Sequence, residues 1–429
     1  MVLARFLLVL CVFLAPLRAL AAAPTDLPSL LLVTAAASEA AYRGELPELL
    51  RARLVAAGWQ IASYETPGHR GTVGRFFHMV RTDVDGAETH LIAFPGTERG
   101  SDVWTDLRIG RAVFGGTTPA EFLSMREAPV TERGETPLVH RGFLDYTQAA
   151  LFTDALPAYG GRTAGEAIAD ELRAYPDAQI YLTGHSLGGA AAVLAAARLS
   201  DLGVSPEQLI VTTFGAPAVG NAAFARRYEG KFTLRRVVMS GDPMKDILAK
   251  PLGFQQFGER VTWSPARSVA KFPHAMTVYV DAAIRRLCDA YGGERAYLFL
   301  MGTPDRMAGR TLYTLPIETK MDEVLTEDAP YMAAVLRDAL HVRSAHTVFA
   351  AGGGGLHEHL VAARAAGAQE MIAYRIAGTK IRDAHETYRI TLEHAVYDMD
   401  GNLIAAGSRS ARTGTLTPIE TVLYLFAQD

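Results

Sequence analysis

Residues 184–189 read Gly-His-Ser-Leu-Gly-Gly, preceded by the apolar run Gln179 to Thr183 and followed by an alanine-rich stretch to Leu199. No other feature restricts the chain so tightly, because it dictates a strand, a sharp turn and a helix in immediate succession. A serine carried on such an elbow needs glycine two residues before it and two after it, where a side chain would strike the neighbouring strand and helix. Gly184 and Gly188 stand at those positions, and Gly189 lets the helix pack close. A bare G-x-S-x-G arises by chance in a chain with 39 glycines. The strand before it and the helix after it make the pattern specific and point to Ser186 as a nucleophile.

A serine hydroxyl attacks only when a base takes its proton and a carboxylate orients that base. In strand–elbow–helix architectures the acid and then the histidine follow the serine along the chain. Asp242 follows a strand expected at Leu234 to Met239, and sites on such sheets gather at the carboxyl ends of strands. Asp246, four residues on, is its rival. Of the later histidines, His274 in Phe-Pro-His-Ala-Met-Thr heads an expected helix in the same domain. His341, His346, His357, His359, His385 and His394 lie past a boundary placed near residue 300. His140 and His185 precede the acid and read as structural, and His69, His78 and His90 are early and isolated. The negative oxygen of a tetrahedral intermediate also needs preorganised donors. The backbone N–H of Leu187 supplies one, and Thr97 in Phe-Pro-Gly-Thr, at the end of an earlier strand, offers the second.

Around this core, Pro24 to about Gly293 alternates short apolar or β-branched runs with longer helical stretches, the patterning of an α/β domain with a mainly parallel, doubly wound sheet. Strands are expected at Phe76 to Val80, Leu91 to Phe94, Gln179 to Thr183, Leu209 to Phe214 and Leu234 to Met239. Helices are expected at Ser38 to Ala57, Thr163 to Tyr175, Gly189 to Leu199 and Ala275 to Tyr291. Gly302 to Gly309 reads as a linker. Residues 22–300 then form the α/β domain and residues 301–429 a smaller α+β accessory domain. In the latter a strand at Thr311 to Ile317, a helix at Ala329 to Leu340 and a hairpin turning at Asp400-Gly401 are expected.

Residues 1–21 read as an export signal: Arg5, an apolar run from Phe6 to Leu17, and small residues in Ala19-Leu20-Ala21. That run falls short of the roughly 20 residues a membrane span needs. Cleavage removes Cys11 and leaves Cys288 alone, so no internal disulfide is expected, and a periplasmic or secreted location follows. With 42 Lys and Arg against 46 Asp and Glu, the formal charge is −4. There is no basic excess to neutralise phosphates, which argues against a nucleic-acid partner.

Five segments together resemble the class 3 lipase family: Phe94-Pro95-Gly96-Thr97, Asp102 to Leu107, His140-Arg141-Gly142-Phe143, Gly184 to Gly189 and Phe214 to Asn221. The resemblance covers about residues 30–291. It implies an α/β-hydrolase fold, carboxylic ester substrates and a lid at about Gly100 to Phe114, in which Val103, Trp104 and Leu107 present an apolar face to substrate; a fixed amphipathic helix packed on the core is the alternative for that segment. Carried over position by position, it implies Ser186 as nucleophile, Asp242 as acid, His274 as base, and Thr97 with Leu187 as oxyanion donors.

The expected function is therefore an exported serine carboxylester hydrolase, a lipase on acylglycerol-type or other lipid esters, in transient contact with lipid surfaces. A phospholipase or acyltransferase on the same scaffold is the enzymatic alternative; a catalytically silent lipid- or envelope-binding protein is the other. The chemistry requires no cofactor. His357-Glu358-His359 has its histidines two apart rather than four, so it does not read as a helical metal pair. The C-terminal domain carries no recognisable chemistry, and three roles stand open for it: binding an unknown envelope partner, dimerising, or shielding the catalytic domain.

Overall fold

The computed structural model describes residues 26–67, 72–82, 88–97, 110–130, 134–244, 247, 252–269, 272–292, 311–343, 346–381 and 387–428. The export signal, Val103, Trp104 and Leu107 of the expected lid, Asp246, His69, His385 and the linker at 302–309 lie outside these residues. The described chain falls into two units, one of residues 26–47 and 59–263 and the other of residues 48–58 and 264–429. The division after Trp263 comes earlier than the boundary expected near residue 300, and it places His274 with the second unit rather than with Ser186.

In the first unit, strands β1 (Trp59–Pro67), β2 (Val73–Thr82), β3 (Glu88–Phe94), β4 (Ile180–His185), β5 (Leu209–Phe214), β6 (Thr233–Met239) and β7 (Glu259–Trp263) make one sheet. Their spatial order is their chain order. β1, β2 and β3 pair antiparallel; from β3 to β7 every pairing is parallel. Such pairings need crossovers, and the helices supply cover on both sheet faces. Helix α1 is Leu27–Ala40, α3 Pro119–Glu127, α4 Arg141–Gln148, α5 Ala164–Ala174, α6 Leu187–Asp201 and α7 Ala222–Tyr228; α2 (Glu45–Ala56) belongs from Glu48 onward to the second unit. Leu182 of β4 packs into the main core with Ala190, Leu194 and Ile168. The next residue, Thr183, points to the other face, where its hydroxyl meets Ser38 of α1 at 2.9 Å. This is the α/β architecture that the alternation of apolar runs predicts.

Local chemistry accounts for the helix starts. Asp26 accepts from Ser29 N–H at the head of α1, and Thr163 with Glu166 forms a capping box on α5. The single helix expected from Ser38 to Ala57 is two helices. α1 stops at Ala40 and α2 begins at Glu45, with Gly44 between them at φ 131°, a conformation only glycine adopts without strain. His78 and His90, expected to be isolated, bond to each other, Nε2 to Nδ1, at 3.0 Å across the β2–β3 pair, and Tyr159 Oη lies 3.0 Å from His78 Nδ1.

The second unit contains α8 (Met276–Tyr291), β8 (Thr311–Thr314), β9 (Glu318–Met321), α9 (Ala329–Arg343), β10 (His346–Phe349), α10 (Leu356–Ala365), β11 (Glu370–Lys380), β12 (Tyr388–Tyr397), β13 (Leu403–Arg412) and α11 (Pro418–Ala427). The sheet runs β10-β8-β11-β12-β13, with β9 also on β11. β12 and β13 form the expected antiparallel hairpin, turning with Gly401 at φ 87°. α11 packs on α9 and β12, burying Ile390, Leu392, Leu336, Ile419 and Val422. The α2 segment 48–58 belongs here, where Arg53 pairs with the buried Asp338 at 3.1 Å.

Candidate active site

Because β3 to β6 run parallel, the residues following each strand emerge at one edge of the sheet. Thr97 follows β3, Ser186 follows β4 and Asp242 follows β6. The expected nucleophile, oxyanion donors and acid thus share the carboxyl edge of the first unit's sheet, where sites of open α/β sheets form.

Ser186 has φ 55° and ψ −120° and is the one non-glycine residue with positive φ among those described. Such a conformation costs of order 1–3 kcal/mol and persists only where neighbours impose it. They do so here: Ser186 N–H donates to Phe214 O at 2.9 Å, and Ser186 O accepts from Ala190 N–H at 3.1 Å inside α6. A Cβ on Gly184 would stand 2.3 Å from Gly188 C, and one on Gly188 would stand 2.1 Å from Phe94 O. The elbow is therefore pressed so closely between β3 and α6 that only glycine fits on either side of the serine. Ser186 itself is 4% exposed, and its side chain does not cap the helix it heads.

Leu187 is the first residue of α6, so its N–H belongs to the unsatisfied first turn and points along the positive end of the helix dipole. Thr97 Oγ1 is buried without a hydrogen-bond partner among the described residues. A buried hydroxyl in that state is costly unless something else satisfies it, and an oxyanion would. Asp242 is fully buried. Its N–H donates to Met239 O at 3.1 Å, and its Oδ1 accepts from Met244 N–H at 2.8 Å, which holds the carboxylate at the end of β6. His274 stands half-buried just before Ala275, the N-cap of α8, as expected of a residue heading that helix.

Residues 140–143 and 214–221 build the walls of the elbow. His140 caps α4, its Nδ1 accepting from Phe143 N–H at 3.3 Å, and burial lowers its imidazole to about 4. It is neutral and structural. Its own N–H donates to Val219 O at 3.0 Å, and Asn221 Oδ1 caps α7 through Phe224 N–H while also accepting from Leu138 N–H. So the segment 214–221 ties the strand after Ser186 to the stretch leading into α4. His185, also expected to be structural, holds a bond that the sequence does not reveal: Tyr42 Oη lies 2.7 Å from its Nδ1. Tyr42 is 143 positions away in the chain, and nothing local to it signals the contact.

A family model described as lipase (class 3) matches residues 91–250. Among curated proteins, a lipase of Rhizomucor miehei is 35% identical over 127 residues, 28% of this chain and 31% of that protein. Lipase ZK262.3 of Caenorhabditis elegans is 49% identical over 70 residues, 16% of this chain and 20% of that protein. Among solved structures, lipase II from Rhizopus niveus aligns over 56% of this chain and 82% of its own at 22% identity, with a TM-score of 0.40. The chain spans less than a third of the length of these curated relatives.

Proposed function

We propose, on the match of residues 91–250 to the class 3 lipase family model, that the protein is an exported serine hydrolase of carboxylic esters whose substrates are lipid esters. Ser186 Oγ attacks the ester carbonyl while His274 takes its proton, and Asp242 orients and stabilises the imidazolium. The oxyanion of the tetrahedral intermediate is held by the Leu187 N–H and by Thr97. Collapse expels the alcohol, protonated by His274, and leaves an acyl-enzyme on Ser186. Water, activated by the same histidine, then releases the carboxylic acid. Export is read from the leader at residues 1–21.

The observation that carries this reading is the strained backbone of Ser186, held at φ 55° between glycines at the carboxyl edge of the sheet. A surface Gly-Ser loop has no reason to maintain that conformation; a nucleophile that must stand clear of its helix does. The test is labelling with a fluorophosphonate probe followed by peptide mapping. The expected result is one adduct on Ser186, abolished in Ser186→Ala and at least about tenfold slower in His274→Ala. A folded protein that takes no label would overturn the reading.

A further inference from the structure

The turn that carries Thr97 and the elbow that carries Leu187 belong to different strands, so something has to fix their separation. Gly96, next to Thr97, shows what does. A Cβ on it would lie 1.9 Å from Tyr42 Oη and 2.7 Å from His185 O. The Tyr42 hydroxyl therefore fills the space where a side chain of the oxyanion turn would be. The same hydroxyl is hydrogen-bonded to the ring of His185 at 2.7 Å, the residue immediately before the nucleophile.

This contact is part of a registered seam. Ser38 and Tyr42 are one helical turn apart at the end of α1, a rise of about 6 Å if the helix continued. Their partners Thr183 and His185 are two apart on one face of β4, about 6.6 Å. Ser38 meets Thr183 at 2.9 Å and Tyr42 meets His185 at 2.7 Å. The turn after α1 is pinned in turn by Arg75, whose Nη2 donates to Ala41 O at 2.7 Å, and Tyr42 N–H donates to Glu39 O at 3.0 Å. From the other side, Tyr146 Oη donates to Arg75 O at 2.8 Å. Tyr42 is thus fixed at its backbone and reaches the oxyanion turn and the elbow with a single atom.

We propose that Tyr42 is a positioning residue that, through His185 and the turn at Gly96, sets the distance between the two oxyanion donors, Thr97 and the Leu187 N–H. The inference rests on the hydrolase reading above. Oxyanion donors act at 2.7–3.1 Å from the developing charge, and a misplacement of about 1 Å costs up to about a hundredfold in rate. A brace of this kind affects the transition state and leaves ground-state ester binding alone.

The experiment compares Tyr42→Phe with the unmodified protein and with Ser38→Ala, which breaks the neighbouring contact of the seam without touching the oxyanion turn. Tyr42→Phe keeps the ring and removes only the hydroxyl. It is expected to lower kcat about tenfold on a soluble ester with KM within about twofold, and to weaken an arylboronic acid, a mimic of the tetrahedral intermediate, by a similar factor. Ser38→Ala is expected to lower the melting temperature and keep kcat. If Tyr42→Phe does not accumulate as folded protein, His185→Asn reads the same two quantities with α1 intact. A Tyr42→Phe protein with unchanged kcat and unchanged boronate affinity would overturn the brace while leaving the hydrolase reading standing. An unmodified protein with neither turnover nor label would overturn the hydrolase reading, and the brace with it.

Discussion

Glu39 is buried in the last turn of α1, one residue before its end, and burial alone holds its carboxyl up at about 7 against an ordinary value of 4.5. In the unfolded chain it has lost its proton by pH 5; in the folded chain it keeps it. The folded state therefore binds the extra proton between about 4.5 and 7, and stability present below that window is lost as pH rises through it. A shift of this size corresponds to on the order of 3 kcal/mol by pH 8. Glu39→Gln should match the unmodified protein near pH 4 and be the more stable of the two at pH 8. Melting temperatures across that range check it; parallel curves would refute it. Because Glu39 O receives the Tyr42 N–H, the same protonation lies one residue from the seam against β4.

At the scale of elements, α6 is tied to the stretch ahead of α3 by a side chain that no apolar pattern announces. Arg198 is fully buried in α6 with its guanidinium between the rings of Phe114 and Phe122, 3.8 Å and 3.9 Å from their centroids, and its Nη1 donates to Gly115 O at 2.6 Å. Burial lowers it to about 10 despite Asp201 nearby, so it stays charged at neutral pH and the two rings supply much of what water would. Arg198→Ala is expected to cost about 3 kcal/mol, and Arg198→Met, which refills the slot, to recover at least about half. Urea unfolding with an unchanged slope checks both. The same elements show what sequence can and cannot carry. The strand, elbow and helix around Ser186 were legible because glycine spacing and apolar periodicity act over a few residues. The break between α1 and α2 was not, since apolar residues continue at helical spacing through Ala40 and Ala41, and only the conformation at Gly44 interrupts them. β1 and β7 were missed because they are half-exposed, with Ser63 and Glu65 in one and Glu259 and Arg260 in the other. Arg198 and Tyr42 owe their roles to partners distant in the chain, which no local pattern encodes.

At the scale of the whole molecule, the glycine-rich stretch near residue 300 suggested a boundary where the contacts do not put one. α8 packs on α9 and α11, its Arg285 bonds both Asp281 and Asp328, and Ser268 Oγ donates to Asp328 at 3.0 Å. The α2 segment joins the same unit through Arg53 and Asp338, and its Leu50 and Leu54 are buried. Deleting residues 305–429 should therefore strip α2 and α8 of their partners. The shortened chain is expected to be recovered as insoluble protein or to melt at least about 10 °C lower. Soluble yield and a melting curve decide it, and an undiminished melting temperature would place the boundary back at the glycine-rich stretch.

The placement of residues 48–58 in the second unit has a consequence in time. A chain made from its amino end presents that helix early, yet Asp338, the partner of its Arg53, follows only after residues 59–263 have been made. Until then Leu50 and Leu54 travel without their final surroundings. A chain completed in this order leaves two leucines of an otherwise mixed helix uncovered for as long as the stretch between its two parts takes to be made.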